Sequence, residues 1–385
     1  MKKFLIIGVI GTILTIVVAF WVYSFLYGNP NNSAGMFSNL GIFEADNSVP
    51  LDTEIPRDTT TETPPVDALR QLTTKAVVGV RLLTTGTSTV ARLVEAGTGH
   101  VFDINLATGN ETRRSGISIP VASEAAVSPS GNYVAIRSGY NNQNELIVLD
   151  LTTADTPKRI ILPNQVESFA FVESDELVFT EFVGGQTEGK GYMPSTGITR
   201  RLFTAPFTAH RMSWSEGNTP HLIFTKPARN LRGFVYEVTS SGLKRLTVSG
   251  EGLTVLHSSE GYLFGRTNSN SYETGYVNRN DNTISGSAIA TLPDKCVYGG
   301  VTNTWYCASA LETNLSQYPD EWYKGGQQFD DRLWQIDTTG RATQLVNPLQ
   351  AAGRSLDVTN LAIDPTLTML YFLNKTDKSL WVYEL

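Results

Sequence analysis

Few side chains in this sequence have the types and spacing that catalysis or metal binding requires. The chain lacks Gly-x-Ser-x-Gly, His-Glu-x-x-His, Cys-x-x-Cys and phosphate-loop motifs. No two histidines stand at the spacing of metal ligands. The four histidines are His100, His210, His221 and His257. We therefore predict neither a metal site nor a cofactor, and no motif identifies a catalytic residue.

The two cysteines, Cys296 and Cys307, are placed to face each other across a hairpin. If the turn centres between Val301 and Thr302, they occupy opposed positions about 4.5–5.5 Å apart, which is within disulfide range. An oxidising compartment would favour the disulfide. The alternative is a pair of buried free thiols.

A loop between Ser309 and Asp330 combines aromatic and acidic residues. Tyrosine and tryptophan supply contact area at low entropic cost, and loops often carry recognition residues. An Asp-Glu pair beside them could bind sugar hydroxyls or a basic peptide. The candidate partner-binding residues are Tyr318, Asp320, Glu321, Trp322, Tyr323 and Phe329. Alternatively, these aromatic side chains fold back and fill the mouth of the domain that carries them.

The elements that must position these residues recur along the chain. Predicted strand clusters that follow a turn begin 42 or 43 residues apart, at Glu124, Glu167, His210, Gly252 and Lys295. Val77 lies 47 residues before the first of them, and Asp357 lies 62 residues after the last. The longer unit therefore contains the aromatic loop as an insertion. A period of this length indicates a repeat architecture.

Each unit has the same internal order of short strands and tight turns. One unit has an apolar strand at 124–127, the turn Ser128-Pro129-Ser130-Gly131, and a second strand at 133–136. An apolar third strand at 146–151 and a basic fourth strand, Lys158-Arg159-Ile160, complete it. Four antiparallel strands repeated at this period are typical of a β-propeller blade.

The units resemble the TolB-type, WD40-like propeller repeat of periplasmic and secreted proteins. Ser128-Pro129-Ser130-Gly131 matches its Ser-Pro-Asp-Gly turn with one substitution, and Ile363-Asp364-Pro365 is a degraded copy. Lys244-Arg245-Leu246-Thr247 matches its Arg-Leu-Thr fourth strand. The resemblance covers residues 68–385 and, with the number of units, implies an all-β, seven-bladed β-propeller. It carries little information about function, because such propellers have many functions.

The two ends of the propeller are predicted to meet in one sheet. The last unit has three predicted strands, at 358–363, 369–373 and 380–383. The segment from Leu69 to Thr73 has the pattern of the missing fourth strand. Pairing it there would remove exposed strand edges. The preceding chain would then enter on the face that carries the first-to-second turns, opposite the long second-to-third loops.

The first residues have the pattern of a membrane anchor. Phe4–Tyr27 contains no charged residue and is long enough to cross a bilayer as a helix, and Lys2 and Lys3 precede it. The positive-inside rule predicts a cytoplasmic N-terminus and a periplasmic or extracellular propeller. The alternative is a cleaved signal peptide. The predicted domains are the cytoplasmic stub with its transmembrane anchor at 1–27, a Pro/Thr-rich tether at 28–67 and the propeller at 68–385.

The composition restricts the possible partners. The net charge of −7, with no basic cluster beyond Lys3, argues against a nucleic-acid partner. The leading hypothesis is a non-enzymatic binding or scaffold module for a protein or cell-envelope partner. One alternative is an enzyme, a hydrolase or lyase acting on glycan or peptide in the central funnel. Its acidic groups would come from inner strands, as Glu124, Glu167, Glu251, Asp294 and Asp357. Another alternative is a subunit of an envelope complex.

Overall fold

A computed structural model describes residues 68–385, except 87, 140–143, 154–156, 163–164, 216, 218, 269–270, 301–303 and 311–317. The predicted anchor and tether lie outside these residues and stay predictions. Within the described part of the chain, no helix is both long and apolar enough to cross a bilayer.

The described chain is built of antiparallel sheets, which confirms the all-β prediction. It begins with β1 (Leu69–Thr73), which joins the last sheet. The first sheet contains β2 (Val77–Thr85), β3 (Ser88–Glu95), β4 (Val101–Asn105) and β5 (Glu111–Ser115). The second contains β6 (Ala122–Val127), β7 (Tyr133–Ser138), β8 (Glu145–Asp150) and β9 (Lys158–Ile161). The third contains β10 (Val166–Phe171), β11 (Leu177–Val183), β12 (Gln186–Met193) and β13 (Ile198–Ala205).

The remaining strands form one sheet of seven strands and two of four. The seven-stranded sheet contains β14 (His210–Ser213), β15 (Leu222–Thr225), β16 (Arg232–Thr239), β17 (Gly242–His257), β18 (Gly261–Asn268), β19 (Ser271–Asn278) and β20 (Ile284–Gly286). The next contains β21 (Cys296–Tyr298), β22 (Trp305–Ser309), β23 (Arg332–Ile336) and β24 (Ala342–Val346). The last contains β25 (Val358–Ile363), β26 (Met369–Asn374), β27 (Leu380–Glu384) and β1. Two short helices are α1 (Asp320–Lys324) and α2 (Pro348–Ala352).

Strand β17 belongs to two repeat units at once. Its first part pairs with β16, as in Thr239↔Gly242, and its second part pairs with β18, as in His257↔Tyr262. The register with β18 shifts between Glu251 and Thr254, and Gly252 has φ +59° at this point. The irregularity redirects the strand from one partner to the next without a loop. Two units predicted to be separate therefore share one continuous strand.

Strand β1 completes the last sheet, as predicted. Leu69 lies opposite Tyr383 and Thr73 lies opposite Leu380, so β1 runs antiparallel to β27. Leu69 is buried there. The chain's first described strand and its last thus form one edge of the same sheet.

The core lies between successive sheets because their third strands are apolar on both sides. On β8, Leu146 and Val148 pack toward the third sheet, whereas Ile147 and Leu149 pack toward the first. Similar clusters lie at each following junction, including the one between the two halves of the seven-stranded sheet. The last cluster joins the β25–β27 sheet back to the first sheet. The sheets therefore form a closed circle.

The predicted disulfide is present. Cys296 on β21 and Cys307 on β22 are opposed residues of a hairpin and are bonded to each other. Both are buried next to Trp305, between the seven-stranded sheet and the β21–β24 sheet.

Candidate functional site

The two faces of the circle differ in the connections that they carry. Because the strands alternate in direction, all connections between second and third strands of a unit lie on one face. We call this the loop face, and we call the opposite one the turn face. The loop face carries the β3–β4, β7–β8, β11–β12, β15–β16, β18–β19, β22–β23 and β26–β27 connections. The predicted partner-binding loop is the β22–β23 connection, named here the insertion (residues 310–331).

The described part of the insertion, residues 310 and 318–331, folds back onto the domain. Tyr318, Trp322 and Phe329 are buried, and they pack with Tyr272 and Leu292 in one aromatic cluster. The ring centroids of Tyr318 and Phe329 lie 5.4 Å apart, nearly perpendicular to each other. These three side chains are therefore part of the interior of the loop face. Their role in binding a partner stays a prediction.

The other predicted residues of the insertion lie at its margin. Asp320 accepts a hydrogen bond from the backbone N–H of Arg229 at 2.6 Å, which ties α1 to the β15–β16 connection. Glu321 lies 3.3 Å from Lys324 on the same helix turn. The Tyr323 hydroxyl donates a hydrogen bond to Asp294 at 2.7 Å.

A buried ion cluster of Lys295, Asp331 and Asp357 binds the insertion to the rest of the domain. Lys295 Nζ lies 2.5 Å from Asp331 Oδ2 and 2.6 Å from Asp357 Oδ1, and each of the three side chains is 1% exposed. The indole N–H of Trp322 donates to Asp357 Oδ1 at 3.0 Å. Burial raises the pKa of Asp331, and Lys295 opposes that rise. The cluster thus joins α1 to the strands of two sheets through charges that no solvent screens.

Beside the insertion, the loop face opens into a cavity of ≈ 870 Å³. Its walls come from the starts of the inner strands β6, β10 and β14 and from the ends of β11 and β15. Each of these positions lies on the loop face because inner strands begin there and second strands end there. The residues that matter for its chemistry are Glu124, Glu167, Phe182, His210, Arg211 and Lys226.

The charged groups of the cavity differ in how they are compensated. Glu124 pairs with Arg137 at 2.9 Å. Arg211 pairs with Asp294 at 3.2 Å, and its guanidinium lies 4.4 Å from the ring centroid of Tyr323. The insertion therefore supplies part of the environment of a cavity residue, through Tyr323.

His210 is held as a neutral hydrogen-bonding group on the cavity wall. Its Nε2 lies 3.0 Å from the Thr180 hydroxyl, and its Nδ1 lies 3.0 Å from the Thr208 carbonyl oxygen. Burial lowers the pKa of this imidazole below its ordinary value. A carbonyl partner at Nδ1 fixes the proton on that nitrogen, so Nε2 accepts from Thr180.

The five carboxylates proposed for an enzyme are distributed over several places. Glu124 and Glu167 line the cavity. Asp294 bonds Arg211 and Tyr323, whereas Asp357 belongs to the buried ion cluster. Glu251 lies on β17 opposite Arg232 and Thr267. Among the described residues, no three His, Cys, Asp or Glu side chains form a group that could hold a metal ion.

Sequence reasoning located the cavity's face but not the cavity itself. Glu124, Glu167 and His210 were recognised as starts of repeat units. Residues with the same number in a repeat lie at the same height around the axis, and this is the signal that could have brought them together. Lys226 and Phe182 carried no such signal, because Phe182 lies near the end of β11 and Lys226 directly follows β15, two second strands of different length.

No protein-family model matches this chain, and no curated protein is similar to it in sequence. Solved structures are similar in fold. The acylaminoacyl peptidase of Pyrococcus horikoshii is 13% identical over 80% of this chain, with a TM-score of 0.51. This chain spans about half of that one, 51%.

Two further structures are covered almost completely by this chain. An oligogalacturonate lyase from Vibrio parahaemolyticus has a TM-score of 0.56 at 10% identity, with 82% of this chain and 93% of the lyase covered. The β-propeller domain of Cps50 (Swd1) from Myceliophteria thermophila has a TM-score of 0.54 at 10% identity, with 82% and 99% covered. Such likeness defines the fold: the described chain is a β-propeller. Because these propellers differ in function, the fold does not assign one.

Proposed function

We propose that this protein is a non-enzymatic binding module that holds a segment of a polypeptide partner in the cavity of the loop face. The observation that carries the proposal is the cavity itself. It is open, its volume is ≈ 870 Å³, and three successive inner strands line it with polar groups. Rigid strands beneath a recognition surface keep its groups preorganised, which lowers the entropic cost of binding.

The insertion supports this proposal because its described part packs onto the loop face beside the cavity. Its aromatic residues are buried, and α1 is tied to Arg229, Asp357 and Lys375 on neighbouring units. Lys375 Nζ lies 4.2 Å from the ring centroid of Trp322.

We further propose seven blades and a membrane-anchored orientation. Seven hydrophobic clusters lie at successive junctions of the described circle, and β17 would serve the fourth and fifth blades. The pattern of Phe4–Tyr27 supports a single-pass anchor with the propeller outside the cytoplasm. Because β1 begins on the turn face, the tether would enter there, and the cavity would point away from the membrane.

Site-directed photo-crosslinking tests the binding role. A photoreactive phenylalanine analogue replaces Phe182, which is 41% exposed and lines the cavity. The matched control places the same analogue at Ile198, which is 65% exposed at the β12–β13 turn on the turn face. In cells producing the full chain, we expect a discrete polypeptide adduct from position 182 that position 198 does not give. Equal adducts at both positions, or none at 182, would refute the proposal.

The alternative function is a hydrolase or lyase that acts on glycan or peptide in the same cavity. Its supporting observation is that Glu124, Glu167 and His210 share this cavity, since carboxylates and imidazole are the usual acid–base groups. The purified protein would then cleave polysaccharide or peptide substrates, and Glu167→Gln would abolish the release of new ends. A turnover that is absent, or unchanged in Glu167→Gln, speaks against catalysis.

A further inference from the structure

The cavity contains two opposite charges, Glu167 and Lys226, for which the described residues provide no ion-pair partner. Glu167 and Lys226 are both exposed, and neither forms an ion pair with another described residue. Glu124 and Arg211, in contrast, have protein partners. The uncompensated groups come from different units, since Glu167 lies on β10 and Lys226 directly follows β15.

The strand register places the positive groups together on one side of their sheet. His210 lies opposite Thr225 and Arg211 lies opposite Phe224. The backbone N–H of Lys226 donates to the Ala209 carbonyl oxygen, which continues the same register by one pair. Lys226 and Arg211 are therefore diagonal neighbours on the same side of the sheet. Long side chains can reach across the distance between such neighbours.

The negative group has a fixed backbone but a free side chain. Arg137 donates to the Val166 carbonyl oxygen and, at 3.1 Å, to the Glu167 carbonyl oxygen. The same guanidinium pairs with Glu124. The Glu167 carboxylate is thus held on the wall of the cavity without using its own charge.

From this arrangement we infer the chemistry of the occupant: a polypeptide segment that carries an acidic group for Lys226 and a basic group for Glu167. This inference rests on the proposed polypeptide-binding function. A purely anionic ligand would leave Glu167 opposed by like charge, and a neutral glycan would leave both charges without partners. The exposed ring of Phe182 supplies an apolar contact on the wall of the same cavity. Complementary charges of this kind select partners and set their register.

The probe is a phage-displayed library of random heptapeptides, selected on the purified full chain in detergent. Wild type is expected to enrich peptides that contain both an acidic and a basic residue. Lys226→Glu makes both free charges negative, so it is expected to enrich basic peptides. Synthetic copies of wild-type-selected peptides should bind to it about threefold to tenfold more weakly, the range for sheltered single charge pairs. Lys158→Glu is the matched control, an exposed lysine on β9 outside the cavity, and should change nothing.

A cavity-filling variant distinguishes a failure of the proposed binding function from a failure of the mixed-charge inference. Ala209 lines the cavity and is exposed, so Ala209→Trp is expected to displace the selected peptides while the fold is kept. If Ala209→Trp displaces the selected peptides, but Lys226→Glu enriches peptides with the same charges as wild type does, the mixed-charge inference alone is overturned. Peptides that Ala209→Trp leaves bound, or a library from which nothing is enriched, overturn the binding function itself.

Discussion

Replacing Lys295 with methionine tests whether the buried ion cluster holds the insertion in place. The substitution keeps the length of the side chain but removes the cation shared by Asp331 and Asp357. Each of these carboxylates is 1% exposed, so water cannot replace the lost partner. Removing one member of a buried ion pair costs about 3–5 kcal/mol, a large part of the stability of a domain.

The pH dependence of the loss identifies its cause. Burial already raises the pKa of Asp331, and Lys295 is the main group that opposes the rise. In Lys295→Met the folded-state pKa therefore rises further above the unfolded value. Such a group favours the folded state at low pH, and that contribution is lost as the pH rises through the folded pKa. The deficit of the variant should be smaller at about pH 5 than at about pH 8.

Urea denaturation followed by tryptophan fluorescence measures the loss, and Trp322 reports on the cluster directly. Lys158→Met is the control for an exposed lysine and should lie within about 0.5 kcal/mol of wild type. Adding Asp331→Asn and Asp357→Asn to Lys295→Met removes the unpaired charges and should recover at least about 2 kcal/mol. A loss below about 1 kcal/mol, or one that is equal at both pH values, would refute the reasoning.

Three further predictions concern the fold. Deleting Leu69–Thr73 leaves the edge of β27 unpaired, and light scattering should then detect association of the protein. Gly252→Ala should lower the free energy of unfolding by about 1–3 kcal/mol in urea titration, since the residue has φ +59° and a Cβ there would lie 2.9 Å from Pro319; an unchanged midpoint would contradict this. Burial lowers the pKa of His257 to about 4, so the folded state favours neutral imidazole. Its contribution, at most about 2–3 kcal/mol, is present above about pH 6.5 and falls away toward pH 4; His257→Gln should flatten the dependence of thermal unfolding on pH in that range.

The repeat made most of the architecture predictable. A period of 42 or 43 residues over the middle units, glycines in many of the turns and apolar third strands made the units recognisable, and the unit starts were predicted within two residues for β2, β6, β10, β14, β21 and β25. Strand β17 was not foreseen. Gly250 and Gly252 at this junction are compatible with a turn between separate strands, whereas the structure has a bulge there that redirects one continuous strand.

The candidate site was harder to predict because its residues come together only when the circle closes. The aromatic residues of the insertion were recognised by type, but type does not distinguish a side chain that binds a partner from one that packs inward. Trp322 is buried in the aromatic cluster, and its N–H donates to Asp357, which directly precedes β25 of the last sheet. Lys226 was overlooked, since a lysine after a strand is common and its isolation depends on the register of β14 and β15.

The closing strand also determines how the molecule would respond to a pull. Tension applied to the chain that precedes Leu69 would act along the axis of β1. The bonds between β1 and β27 would then be loaded together, in shear, rather than peeled apart one after another. A short strand arranged this way resists force better than its length suggests, and tension on the preceding chain would leave the loop face undisturbed until the pairing of β1 with β27 broke.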